Sequence, residues 1–165
     1  DQTKEKLVKV DRYLLKFDTL QINSSLLSPL LIFIAIFSIG ICITYRDVQR
    51  KKRSRWFDFI LFFTTGLIGI LIVFLWFFTN HSTTPNNYNF LWAFAPNIYV
   101  AFCLLKEQPK KWVRTYVIGT LLLLSIIPVI WLCKVQALPL AVIPILMLLA
   151  IRYYYLQHIL LPLKK

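Results

Sequence analysis

WFDFILFFTTGLIGILIVFLWFFT, residues 56–79, runs for 24 positions with a single charged side chain, Asp58. About 20 apolar residues in a helix cross a ~30 Å hydrocarbon core. A lone strand cannot cross, because its backbone groups would find no partners in lipid. The stretch therefore predicts a membrane helix. Four further apolar runs flank it: LLSPLLIFIAIFSIGICIT (26–44), FLWAFAPNIYVAFCLL (90–105), WVRTYVIGTLLLLSIIPVIWLC (112–133) and LPLAVIPILMLLAIRYYY (138–155). The expected fold is all-α: an integral bundle of five transmembrane helices over 26–165, preceded by a juxtamembrane amphipathic segment, 1–25. In that segment Leu7, Val10, Leu14 and Phe17 recur at helical spacing. It reads equally as a helix on the outer leaflet or as the end of a preceding domain.

Composition points the same way. Of 165 residues, 58% are hydrophobic and 16% charged, whereas soluble domains carry about 25% charged residues. A soluble enzyme, a disordered tail and a disulfide scaffold are all excluded. The net charge of +12 does not indicate nucleic-acid binding, because the basic residues are clumped between apolar runs rather than forming one patch. Cys42, Cys103 and Cys133 lie in or at the ends of those runs with no CxxC spacing, as buried small hydrophobes do. No metal site or cofactor is expected.

The clumps set the direction. Thirteen of the 19 basic residues fall in RDVQRKKRSR, in KEQPKK with Arg114, and in the tail with Arg152. With five spans these share one side, and the opposite side keeps Lys134 and the N-terminal segment. Basic loops stay cytoplasmic, so the N-terminus is expected outside and the C-terminus in the cytoplasm. The third run is short and carries Pro96 and Asn97, which admits a broken or re-entrant segment. A re-entrant third run would put KEQPKK outside, so charge favours a crossing. Trp56, Trp112 and Tyr153 to Tyr155 mark the inner boundary, and Trp76, Trp92 and Trp131 the outer one. The five basic residues Lys4, Lys6, Lys9, Arg12 and Lys16 resist export. They predict an exported domain upstream, in the same precursor, that delivers residues 1–25 outside.

Candidate chemistry is sparse. His158 is expected at inner headgroups. His81 is the titratable group of the outer loop NHSTTPNNYN, and Cys133 ends run four on that side. A nucleophile–base pair between them lacks a carboxylate to orient the imidazole, so His81 is read mainly as a capping or headgroup-binding residue. The loop is crowded with Asn and Thr, which serve turns and caps or form a neutral hydrogen-bonding surface. Asp58 is expected to pair at the interface with Arg53 or Arg55, and Arg114 and Arg152 to snorkel. Asn97 is the one strongly polar group well inside a run, and a bond to a neighbouring helix is expected of it. An ion channel or proton-driven transporter is disfavoured by this scarcity. Gly66 and Gly69 suggest close helix approach, and Pro128, Pro139 and Pro144 can kink runs four and five.

The stretch RWFDFILFFTTGLIGILIVFLWFFTNHSTTPNNYNFLWA, residues 55–93 and roughly a quarter of the chain, resembles the membrane domain of Lnb-type bacterial lipoprotein N-acyltransferase-like proteins. Trp56, Asp58, Thr65, Gly66, Gly69, Trp76, His81, Thr84, Asn87, Asn89 and Trp92 carry the pattern, with Ser28-Pro29-Leu30 and RDVQRKKRSRW ahead of it. The resemblance implies a bacterial inner-membrane protein with five membrane helices behind a periplasmic, papain-like cysteine domain. It implies phospholipid and lipoprotein as partners and an acyl transfer whose nucleophile lies upstream. His81, Asn87, Asn89, Thr84, Trp76 and Trp92 would form the lipid-facing surface. The chain alone holds no complete catalytic set. A non-catalytic anchor or assembly subunit is the alternative, and a small-molecule transporter a more distant one.

Overall fold

The computed structural model describes residues 28–78 and 87–161. All regular structure among them is helical. The amphipathic segment 1–25, His81 and Thr84 lie outside the described residues.

Helix α1 spans Pro29–Arg50. Ser28 caps it by accepting from the Leu31 N–H at 3.4 Å, and Pro29 occupies the first turn, where a missing N–H costs nothing. It ends at Lys51 in the left-handed region (φ 52°), whose N–H turns back to the Asp47 and Val48 carbonyls. Helix α2 spans Arg55–Phe78. The chain then passes through a 3-10 turn, Tyr88–Leu91, to a short helix α3, Asn97–Leu104. Helix α4 spans Lys111–Leu132 and continues through Pro128. A 3-10 turn, Leu140–Val142, leads into α5, Ile143–Ile159. Among the described residues, four segments are long and apolar enough to cross a membrane: α1, α2, α4, and Leu140–Ile159.

The third run, 90–105, takes the broken form that its Pro96 and Asn97 admitted. Only eight of its residues are α-helical, about 12 Å at 1.5 Å per residue. Pro96 is the cause. Its ring removes a donor and restricts Ala95 before it, so the helix restarts at Asn97. The run nonetheless travels the length of α2 in the opposite direction. Phe90 packs on Trp76, Phe102 packs on Phe59, and Arg53 reaches the Leu104 carbonyl. In between, a Cβ on Gly66 would collide with the Ile98 backbone nitrogen, and one on Gly69 with the Ala93 carbonyl. Gly66 thus lets α2 meet the first turn of α3, and Gly69 lets it meet the irregular segment ahead of that helix.

Helices α1 and α5 run parallel, with Gly40 against Leu148 and Thr44 bonded to Arg152. α4 runs antiparallel to α5, tied by Arg114 Nε donating to the Gln157 carbonyl at 2.9 Å. One end of the bundle therefore gathers Arg46, Arg50, Lys51, Lys52, Arg55, Lys106, Lys110, Lys111 and Arg114. The other end carries Lys134 as its basic residue among the described residues. The core is Phe62, Val100, Leu104, Val113, Val117, Leu149, Tyr153 and Leu156. Around it the surface is apolar, with Leu67, Leu71, Phe74, Phe77 and Phe78 all exposed, as a lipid-facing wall requires.

Candidate functional site

At the basic end lies a buried charge network. Arg152, expected to snorkel, is instead 0% exposed. Its Nε donates to Asp58 Oδ1 (2.7 Å), one terminal nitrogen to Asp47 Oδ2 (2.8 Å) and the other to Thr44 Oγ1 (3.2 Å). The guanidinium also lies over the rings of Phe57 and Tyr155, at 4.9 and 4.8 Å. Arg53 donates to Asp58 Oδ2 at 3.0 Å and to the Leu104 carbonyl at 2.9 Å, and also reaches the Lys106 carbonyl. Asp47 accepts from the Ser54 N–H and hydroxyl at 2.8 and 2.6 Å. Two carboxylates face two guanidiniums, so the network is neutral. Each charged atom has a partner, the condition under which buried charge is tolerated. Asp58 pairs with Arg53 as expected, and with Arg152 in addition. Arg55 turns to the Leu105 carbonyl instead, at 3.4 Å.

Halfway along the bundle, Tyr116 donates to Asn97 Oδ1 at 2.6 Å, and Asn97 Nδ2 donates to Thr65 Oγ1 at 3.0 Å. Thr65 passes its own proton to α2 carbonyls. Asn97 thereby links α2, α3 and α4, and is fully buried. The Tyr153 hydroxyl is buried with no hydrogen-bond partner among the described residues.

At the opposite end the polar groups are neutral. Asn87 caps the turn at Tyr88, accepting from the Asn89 N–H and Nδ2 at 3.1 and 2.7 Å. Asn89 Oδ1 accepts from the Trp92 indole at 2.8 Å. Gln136, in the α4–α5 connection, accepts from the Tyr88 N–H at 2.8 Å. Trp76 packs its ring on Phe90 with centroids 5.6 Å apart, and its indole N–H is buried without a partner among the described residues.

Of the six residues singled out in the sequence, four are thus at one end of the bundle: Asn87, Asn89 and Trp92 in one hydrogen-bonded group, and Trp76 beside it through Phe90. Sequence reasoning passed over Asp47 and Gln136 and took Arg152 as exposed. One signal was present for Arg152: no acidic residue follows Glu107 in the chain, so a buried Arg152 must draw its partners from earlier helices. Cys42 and Cys133 are exposed and Cys103 is partly buried, all unbridged. No group of three metal-ligating side chains occurs among the described residues.

A family model described as the Lnb transmembrane domain matches residues 21–164. Searches of curated proteins and of solved structures give no match.

Proposed function

This chain belongs to the Lnb transmembrane-domain family, and from that premise we propose that it is the membrane part of a lipoprotein N-acyltransferase of the bacterial inner membrane. The chain crosses five times, the third crossing being the broken segment 88–104. Its amino end lies outside and its carboxyl end in the cytoplasm. The bundle holds an upstream, cysteine-dependent periplasmic domain at the outer leaflet and helps bind the lipid. In the reaction, the thiolate of that domain takes an acyl group from a phospholipid ester, releasing the lysophospholipid. The amino group of the lipoprotein's terminal cysteine then attacks the thioester, forming the amide and returning the thiol. The observation that carries this reading is the neutral polar group of Asn87, Asn89, Trp92 and Gln136. It sits at the end that basic residues avoid, which is the outer end by the charge rule. Trp76, His81 and Thr84 complete the proposed surface.

The test is the double variant His81→Ala, Asn87→Ala in the full-length protein. Lipoprotein N-acylation should fall, and unchanged acylation would remove both residues from the mechanism. The bonds that Asn87 and Asn89 make to their own turn favour a second reading, a passive anchor. Replacing the bundle by one unrelated span separates the two, since an anchor-only role predicts retained acylation.

A further inference from the structure

The outer half of the seam between α4 and α5 does not close. A groove of about 400 Å3 runs along it, walled by Leu121, Ser125 and Trp131 on one side and Leu138, Leu146 and Ala150 on the other. The inner half of the same seam is packed solid by Val113, Val117, Leu149, Tyr153 and Leu156. The groove is apolar throughout, because its one hydroxyl, on Ser125, is spent on the Leu122 carbonyl at 2.7 Å.

Its dimensions choose the occupant. From Leu121 to Trp131 is ten residues of helix, about 15 Å. That is half of a ~30 Å hydrocarbon core, the depth of one leaflet. A slot of that depth, apolar from end to end, offers nothing to a headgroup along its length. It suits a single hydrocarbon chain entering from the outer end. The mouth adds a sign. Lys134 lies between Trp131 and Leu138, both in the groove wall, and is held in a left-handed turn (φ 55°) at an end otherwise free of basic residues among the described residues. An exposed cation in the connection between the two groove walls attracts a phosphate and repels the protonated amino group of a lipoprotein.

We propose that the α4–α5 groove binds one acyl chain of an outer-leaflet phospholipid, with the lipid phosphate at Lys134. The inference rests on the membrane orientation proposed above and deepens that reading by naming the lipid class and its place.

The experiment uses the full-length protein in vesicles of phosphatidylglycerol, a fraction of which carries a photoactivatable diazirine in one acyl chain. Cross-linked peptides are mapped by mass spectrometry, and N-acylation is measured on the same samples. Label should concentrate several-fold on residues 121–131 and 142–150 over the equally lipid-facing Leu67, Leu71 and Phe74. Filling the groove with Ala150→Phe should remove that excess while leaving label on α2, and Lys134→Glu should weaken it. Label spread evenly over all lipid-facing helices would overturn the proposal, as ordinary boundary lipid. A diazirine diacylglycerol that labels the groove as well as the phospholipid does would overturn the assignment to phospholipid. So would cysteine cross-links that place residues 1–25 in the groove. Loss of N-acylation with groove label intact would refute the transferase reading alone, and acylation with uniform label would refute the groove alone.

Discussion

The two ends of the bundle solve the same problem, polar groups near lipid, in opposite ways. At the basic end, Arg152 reaches back along the chain to Asp47 and Asp58, Arg53 takes the second Asp58 oxygen, and Ser54, Thr44 and the Leu104 carbonyl fill the remaining positions. At the other end, Asn87, Asn89 and Trp92 bond mostly within one turn, and Gln136 supplies the long-range links, accepting from the Tyr88 N–H and donating to Asn87 Oδ1 at 3.4 Å. The contrast separates rigidity from adaptability. Charges far apart in sequence lock helices together, because pulling them apart strands a charge. Neutral groups bonded locally tie fewer helices together at their end of the bundle.

This difference can be broken, starting where most is at stake. Arg152→Leu leaves Asp47 and part of Asp58 without a cation, and losing one partner of a buried pair costs about 3–5 kcal/mol. The variant should be recovered from membranes in much lower yield and unfold at far lower denaturant. A double variant that also carries Asp47→Asn should regain part of the loss, because Asp58 keeps Arg53 and no charge is then stranded. Gly69→Leu comes next. Its side chain would be driven into the Ala93 carbonyl, and overpacking of this kind costs about 1–3 kcal/mol. Thermal unfolding in detergent should show it, and Gly119→Leu, where a Cβ meets nothing within 4 Å, is the matched control. Asn97→Leu removes two interhelical bonds, each worth about 0.6 kcal/mol on average in a membrane, so a modest loss by the same measurement is expected. Gln136→Ala should change stability least, because its bonds to the Tyr88 N–H (2.8 Å) and, at a long 3.4 Å, to Asn87 Oδ1 join neutral groups in partly exposed turns and are worth about 1 kcal/mol or less. It should instead raise hydrogen exchange at the Tyr88 amide, sharpening the claim that this end is loosely tied.

The helices were largely legible in the sequence because lipid imposes a simple rule of length and apolarity. The break in the third run was half legible: Pro96 and Asn97 marked it, but the decision between crossing and returning needed the basic loop that follows. Asn97 was expected to bond a neighbouring helix and bonds two. The fate of Arg152 was not legible. Its place near the end of run five, beside three tyrosines, matches a snorkelling cation as well as a buried one. The residues that decide between them lie 94 and 105 positions away. At the opposite end, Asn87 and Asn89 announced a capped turn by residue type. Gln136, a single amide in a short connection, gave no such sign.

Because the first helix packs alongside the last and in the same direction, the order of synthesis matters. Asp47 and Asp58 leave the ribosome long before the arginine that neutralises them. Until α5 arrives, both carboxylates wait with Arg53 the one network cation yet made. The arrival of Arg152 then draws the early helices into place. Maturation of this protein is thus a late event, and truncation just ahead of residue 152 should leave an inserted but unassembled chain exposed to membrane quality-control proteases.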